Sequence, residues 1–322
     1  MNNTCIDGTF SEHSMELTLK HSLEYNPDTL QYLRKIYNLD SQERIDEAID
    51  ILVKWIQKQE HFVKKEYCKH SLERCLLSSK GSIERLKEKL DKVATFKTLL
   101  PNYYEPLDVR SSKILKTIYC SLIPKMTKDH DRVFIARVVG DDFPNPFDVY
   151  KYSLMICEFA HAYDYSHKKV GIFDTRDCNV VELVKVINLV DFRQIISIIV
   201  EGYKFRIKGI HFVTTSKAMD AIITVFRQVL SSKLRQRIYV HNTAEGLYDH
   251  LPREILPKDF GGDEKPMKEL SDDLMDLLAS EEFTKYFNEC RLAKTNEDFR
   301  SVDKFNDQCL SMAGSFRKLN VD

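Results

Sequence analysis

Phe205-Arg206-Ile207-Lys208-Gly209-Ile210-His211-Phe212-Val213 opens with alternating apolar and basic side chains and closes on an apolar run, the pattern of a β-strand. Its pleat puts Phe205 and Ile207 on one face, with Arg206 and Lys208 on the other. Downstream, Ala218, Met219, Ile222, Ile223, Val225, Phe226, Val229 and Leu230 form the broad apolar face of a helix. Lys217, Asp220, Thr224, Arg227 and Gln228 fall opposite. Ile238-Tyr239-Val240 is then a further short strand. Upstream, residues 180–202 read as helix, Lys169-Val170-Gly171-Ile172-Phe173-Asp174 as strand, and residues 147–165 as helix. Val133-Phe134-Ile135-Ala136-Arg137-Val138-Val139 is a strand closed by the turn signal Gly140-Asp141-Asp142. Strands separated by helices of this length need crossover connections, which predicts an α/β fold with a mostly parallel sheet.

Residues 1–130 read differently. Ile45, Ala48, Ile49, Leu52, Val53 and Ile56 share one helix face, with Trp55 on its edge. Ser82 is an N-cap before Ile83, Leu86, Leu90 and Val93, and Pro101 ends that helix. No strong strand signal occurs here, so this stretch is expected to be a helical bundle in front of the sheet domain. Residues 131–262 would be the α/β domain. Residues 263–322 would add a helix over 267–287 and a polar tail.

The chain has 322 residues, 43% hydrophobic and 30% charged, with a formal net charge of −1. That is enough chain for a core and an internal cavity, and it offers nucleic acid no global attraction. Eight cysteines, Cys5, Cys68, Cys75, Cys120, Cys157, Cys178, Cys290 and Cys309, include no CxxC pair and no zinc-ligand spacing with histidine. Reduced thiols in a cytoplasmic protein are the expectation. The opening MNNTCIDGTFSEHS has neither a basic nor an apolar region of the secretory kind. The most apolar stretch, 180–200, is broken by Glu182, Lys185, Asp191 and Arg193 and is not a membrane span.

Catalytic motifs are missing. There is no GxxxxGK[ST], no GxGxxG after the first strand and no GxSxG. Asp174 and Asp177 close the second strand without a third ligand and read as turn formers. His211, alone on its strand, reads as a satisfied core residue. No catalytic residue, metal or cofactor is therefore expected. Two features are left. The helix after the third strand is either a crossover helix or a lid over an apolar cavity that can rest on a bilayer, and periodicity does not separate the two. From 204 to 237, Lys204, Arg206, Lys208, Lys217, Arg227, Lys233, Arg235 and Arg237 face only Asp220. Arg206 with Lys208 on a strand, and Lys233 with Arg237 on a helix, form two same-face pairs that fit a polyanionic headgroup or a solvated basic surface equally well.

These residues carry a family likeness. Phe205 to Phe212 resembles the basic–apolar–basic–Gly–Ile–His strand of CRAL-TRIO proteins. Ile255-Leu256-Pro257-Lys258-Asp259-Phe260-Gly261-Gly262 resembles their closing ILPxxYGG segment, with Phe260 for tyrosine. Residues 234–240 are similar to the basic helix end and short strand, Ile172-Phe173-Asp174 to the central strand, and residues 46–59 to the N-terminal helical module. The tail from Gly314 to Asp322 resembles insect members of the α-tocopherol-transfer-protein-like branch.

The resemblance implies a non-enzymatic, monomeric carrier of one hydrophobic lipid such as a tocopherol, retinoid or carotenoid, reversibly docked on phosphoinositide-containing membranes. It implies a cavity lined by Tyr150, Ser153, Leu154 and Cys157, by Phe173, and by Ile195, Ile198 and Ile199. Tyr203, Phe205, Ile207 and Ile210 follow from the third strand, and Met219, Ile222 and Val225 from the lid. Tyr150 and Ser153 would be its hydroxyl partners. It also implies headgroup binding by Arg206, Lys208, Lys233 and Arg237. Phosphatidylinositol or phosphatidylcholine exchange is the alternative within the fold; a scaffold or an unrecognised enzyme is the alternative outside it. Two departures stand out: Cys75-Leu76-Leu77-Ser78-Ser79-Lys80-Gly81 lacks the family's arginines, and Thr175-Arg176-Asp177-Cys178 replaces its GW.

Overall fold

The computed structural model describes residues 23–300. Four helices make the front bundle: α1 (Thr29–Ile36), α2 (Gln42–Lys58), α3 (Lys69–Ser78) and α4 (Ile83–Leu99). Ser82 caps α4 as expected, and Ser41 does the same for α2. Ser41 Oγ accepts from the Arg44 amide and Ser82 Oγ from the Arg85 amide, each at 3.3 Å. The apolar stripe of α2 buries Ile45, Ala48, Ile49, Leu52 and Ile56 against Leu72, Leu76 and Leu86. Pro101 then opens a 3-10 turn where α4 ends.

A five-stranded sheet follows, in the order β1-β2-β3-β4-β5. Its strands are β1 (Ile118–Leu122), β2 (Arg132–Val139), β3 (Lys169–Asp177), β4 (Ile207–Val213) and β5 (Ile238–His241). β2 to β5 run parallel and β1 is antiparallel to β2. The sheet is therefore mostly parallel as expected. β1 lies in residues read as purely helical, directly after the short α5 (Ile114–Thr117). Phe205 and Arg206 precede β4 in extended backbone, and Arg206 O still accepts from the Lys169 amide at 2.7 Å.

The crossovers are α6 (Pro146–Tyr163), α7 (Val180–Val186) with α8 (Leu189–Ser197), and α9 (Met219–Val229) with α10 (Ser232–Arg235). The helix expected over 180–202 is broken at Ile187-Asn188, because Asn188 Oδ1 caps α8 by accepting from the Val190 amide at 2.8 Å. Its last turn, Ile198–Gly202, is π-helical. The helix expected over 267–287 is likewise two, α11 (Met267–Leu278) and α12 (Glu281–Arg291), with Ser280 capping the second. The Gly314–Asp322 tail lies outside the described residues.

Side chains on each strand alternate between two faces. Val133, Ile135, Ile172 and Val213 pack beneath residues 244–270, including Leu256 and Phe260. Phe134, Ala136, Gly171, Phe173 and Ile210 face the crossover helices. Asp259 locks the floor in place: its carboxylate pairs with Arg137 of β2 and accepts from the first amide of α11, Met267, at 2.6 Å. Gly262 is held by sterics, since a Cβ there would stand 1.9 Å from the Leu256 carbonyl oxygen. Gly262→Ala should consequently lower unfolding free energy by about 2–4 kcal/mol in urea titrations, the range for overpacking plus a displaced backbone.

Candidate functional site

Between the helix-facing side of the sheet and α6 to α9 lies a cavity of about 330 Å³. The cross-strand alternation builds one wall from Ile118, Cys120 and Leu122 of β1, Phe134, Ala136 and Val138 of β2, and Gly171 and Phe173 of β3. Tyr150, Ser153 and Cys157 of α6 line it too, as do Ile195 of α8, Ile199 of the π-helical turn and Phe205, Ile207 and Ile210 at β4. Six of the fifteen expected lining residues are elsewhere. Leu154, Ile198 and Tyr203 are fully buried against Phe96, Tyr103 and Tyr104 of the front module. Helix geometry bears on the first: Tyr150, Ser153 and Cys157 make one stripe of α6, and Leu154 sits about 70° around from its centre, on the flank the front module covers. Met219, Ile222 and Val225 of α9 are buried without reaching the cavity; Phe226 and Leu230 reach it instead. Ile222 and Val225 lie about 40° and 100° around the helix from Phe226, whereas Met219 shares the stripe of Phe226 and Leu230 but sits two turns away along the axis. Phe192 of α8, with Leu183 and Val186 of α7, also lines the cavity.

Polar groups are few in this lining. Ser153 Oγ donates to the Val149 carbonyl at 2.8 Å, so its proton is committed to the helix. The Tyr150 hydroxyl is buried and has no partner. Burial first, and the charge of Asp191 second, push its pKa far up, so it stays a neutral donor. Lys169 Nζ pairs with the buried carboxylate of Asp164, which also takes Arg132 at 3.1 Å. Desolvation lowers the Lys169 pKa and Asp164 partly offsets this.

A second cavity, of about 740 Å³ and mixed polar and apolar lining, lies where the front bundle meets α6 and α12. Buried Glu158 is part of its wall and accepts from Lys97 Nζ (2.8 Å), Tyr203 Oη (2.6 Å) and Cys290 Sγ (3.1 Å). Burial alone would raise the Glu158 pKa, but Lys97 and these hydrogen bonds bring it below the usual value. Cys75 Sγ lies 3.4 Å from His161 Nε2, the separation of a nucleophile and its base. Burial raises the thiol's pKa and lowers the imidazole's. Both are held neutral, the opposite of an activated thiolate.

The basic pairs are rearranged relative to expectation. Arg206 stacks on Tyr37, 5.4 Å from the ring centre, with one buried Nη1 lacking a partner. Lys208 Nζ pairs with Asp129 and with buried Asp131, each at 2.8 Å. α10 stops at Arg235, so Lys233 and Arg237 do not share a helix; Arg237 turns back to donate to the Ile207 carbonyl. Lys233 is exposed. Burial lowers the pKa of Lys80, and so do the charges of nearby Arg85, Lys233 and Lys168. A small recess of about 30 Å³ joins Lys168, Lys204 and Arg206. The stretch that lost its arginines thus still delivers a cation, Lys80, toward this patch.

Asp174 and Asp177 are ion-paired as well as turn-forming: Asp174 takes Arg176 at 2.8 Å and Asp177 takes Arg137 at 2.5 Å. His211 is not solitary. Its Nδ1 lies 2.9 Å from His241 Nε2, and its ring also meets those of Tyr239 and His250.

The sheet domain has known relatives. The CRAL/TRIO domain pattern matches residues 116–262, starting just before β1 and ending at the Gly261-Gly262 pair. An "Alpha-tocopherol transfer protein-like" protein of Mus musculus is 30% identical over 120 residues, 36% of this chain and 35% of that protein. "Clavesin-2" of Homo sapiens is 40% identical over 63 residues, 19% of each. The matched part thus spans about a third or less of these relatives' length. A solved structure titled "Crystal structure of Sfh5" aligns with 83% of this chain and 99% of its own at 10% identity, with a TM-score of 0.44. Residues 116–262 of this chain, which carry the strand and glycine motifs, are thus a CRAL/TRIO domain.

Proposed function

We propose that this protein carries one small hydrophobic lipid between membranes and docks on phosphoinositide-containing surfaces, without covalent chemistry. The observation that supports it most is the apolar cavity between sheet and helices with a single unpartnered hydroxyl among its described lining residues, that of Tyr150. Covering roughly 500 Å² of an apolar tail there would contribute on the order of 12 kcal/mol gross. A bilayer solvates the same tail nearly as well, so shape and the Tyr150 hydrogen bond must supply selectivity. That favours a cargo with one hydroxyl or carbonyl, such as a tocopherol, retinoid or oxygenated carotenoid. Phospholipid exchange is disfavoured by the lining, because its only cation among the described residues, Lys169, is already neutralised by Asp164.

Val181, Val186, Leu189 and Val190 are large exposed apolar side chains beside the α7–α8 break. Val186 reaches both the surface and the cavity. This helix pair is the proposed gate, opening against the bilayer where its exposed valines and leucine are solvated. The proposed headgroup site is Arg206, Lys208, Lys233 and Arg237, extended by Lys80 and Lys168. Vesicle-to-vesicle transfer of a fluorescent hydrophobic lipid tests both halves. Transfer is expected, faster with phosphatidylinositol bisphosphate in the acceptor. The triple variant K80E/K168E/K233E, which spares the engaged side chains of Lys208 and Arg237, should weaken vesicle binding at least about tenfold, at about 1 kcal/mol per cation. Absence of transfer for every lipid class tried would overturn the carrier; unchanged binding by the triple variant would overturn the docking site alone.

A further inference from the structure

His211, His241 and His250 come from three different elements, β4, the end of β5 and the turn that follows it, and their ring nitrogens converge. One nitrogen from each lies within 4.8 Å of the others. The His211 and His241 rings are nearly parallel, with 10° between their planes and 5.2 Å between their centres. Their near nitrogens are 2.9 Å apart. His250 stands edge-on to both, at 4.9 and 5.6 Å between ring centres. From this geometry we infer a divalent transition-metal site of the zinc class, with His211 Nδ1, His241 Nε2 and one His250 nitrogen as ligands. It lies on the sheet face opposite the apolar cavity and is a site distinct from the proposed carrier function.

The donor set suits such a metal: three imidazoles and an open position toward solvent are a recurring zinc arrangement. Tetrahedral bonds of 2.0–2.1 Å place ligand nitrogens about 3.3–3.4 Å apart. The His211–His241 pair must therefore open by about 0.4 Å, and the third nitrogen must close by about 1.4 Å at most. The second movement falls on His250, which is exposed. The first requires no backbone change, because both strands are already fixed. Thr214 N donates to His241 O at 2.9 Å, and His250 N to Leu247 O at 2.9 Å. Without metal, one proton bridges the His211–His241 pair; on binding it moves to the far nitrogen of its own ring, leaving two lone pairs aimed at the ion. Gly209 leaves room for the far nitrogen of His211, since a Cβ there would stand 2.7 Å from it.

The ion would tie β4 to the short edge strand β5 and to residues 248–250. Ile210 and Phe212 flank His211 and point the other way, so the ion would also stiffen the wall behind the cargo. Metal-stripped full-length protein titrated with Co²⁺, then with competing Zn²⁺, tests the site. One equivalent should bind with the visible absorption of four- or five-coordinate cobalt, and Zn²⁺ should displace it and raise the Tm. H241Q and H250Q, both at accessible positions, should each lower affinity at least about tenfold while circular dichroism and lipid uptake are unchanged. No stoichiometric binding in excess metal would overturn the inference. So would cobalt absorption that persists equally in both variants, which would assign the metal to cysteines elsewhere.

Discussion

Replacing Lys97 with methionine should cost about 3–5 kcal/mol of unfolding free energy at neutral pH, because it leaves a buried carboxylate with no counter-ion. Lys97 and Glu158 are 3% and 1% exposed. In the native protein the folded-state pKa of Glu158 is depressed. Its ionised form therefore contributes stability above the unfolded-state pKa, and that contribution is lost as pH falls through the folded value. In K97M the sign reverses: burial dominates, the folded-state pKa rises, and the deficit should shrink as acid protonates the carboxyl. The double variant K97M/E158Q should recover most of the loss, since it removes both charges together. Urea denaturation at neutral and mildly acidic pH reads all three effects. A single-variant loss below about 1 kcal/mol, the level of an exposed pair, would mean that solvent reaches the pair freely.

The second large effect is expected at Ala136. Its methyl faces the apolar cavity from the middle of β2, between Phe134 and Val138. An indole in its place would occupy the space proposed for the cargo while keeping the strand's pairing, as tryptophan favours β-structure. Native mass spectrometry of A136W after incubation with lipid should find at least tenfold less bound cargo than in the wild type, with unchanged far-ultraviolet circular dichroism. Full occupancy in a folded A136W protein would move the cargo out of this cavity.

Much of the fold was legible because the sequence states it locally. The run at 132–139, the strand at 169 and the alternation at Phe205 and Ile207 each follow from side-chain period. β1 was not legible: Ile118–Leu122 is five residues long, follows helix directly and depends on β2 for its definition. The α7–α8 break was written in Asn188, a helix-capping residue inside an apolar run that was read for hydrophobicity alone. Within the site, the α6 positions sharing a helix stripe came out together and their neighbour Leu154 did not. The front bundle covers the far side of α6 and α8, and only the assembled structure reveals which stripe it takes. The three histidines could not be found by spacing, since 30 residues separate the first two and strand pairing alone unites them.

The antiparallel placement of β1 has a consequence for solubility. A protein that must open a cavity in water risks offering unpaired strand edges to other copies of itself. Here the β1 edge is closed by α11, whose Ser271 hydroxyl accepts from the Cys120 amide at 3.1 Å. The opposite edge, β5, is only four residues long. The helices proposed to move, α7 and α8, lie over the face of the sheet and not along either rim. Opening would therefore expose grease without exposing a polymerisation template, and an emptied molecule could return to its closed form instead of joining a fibre.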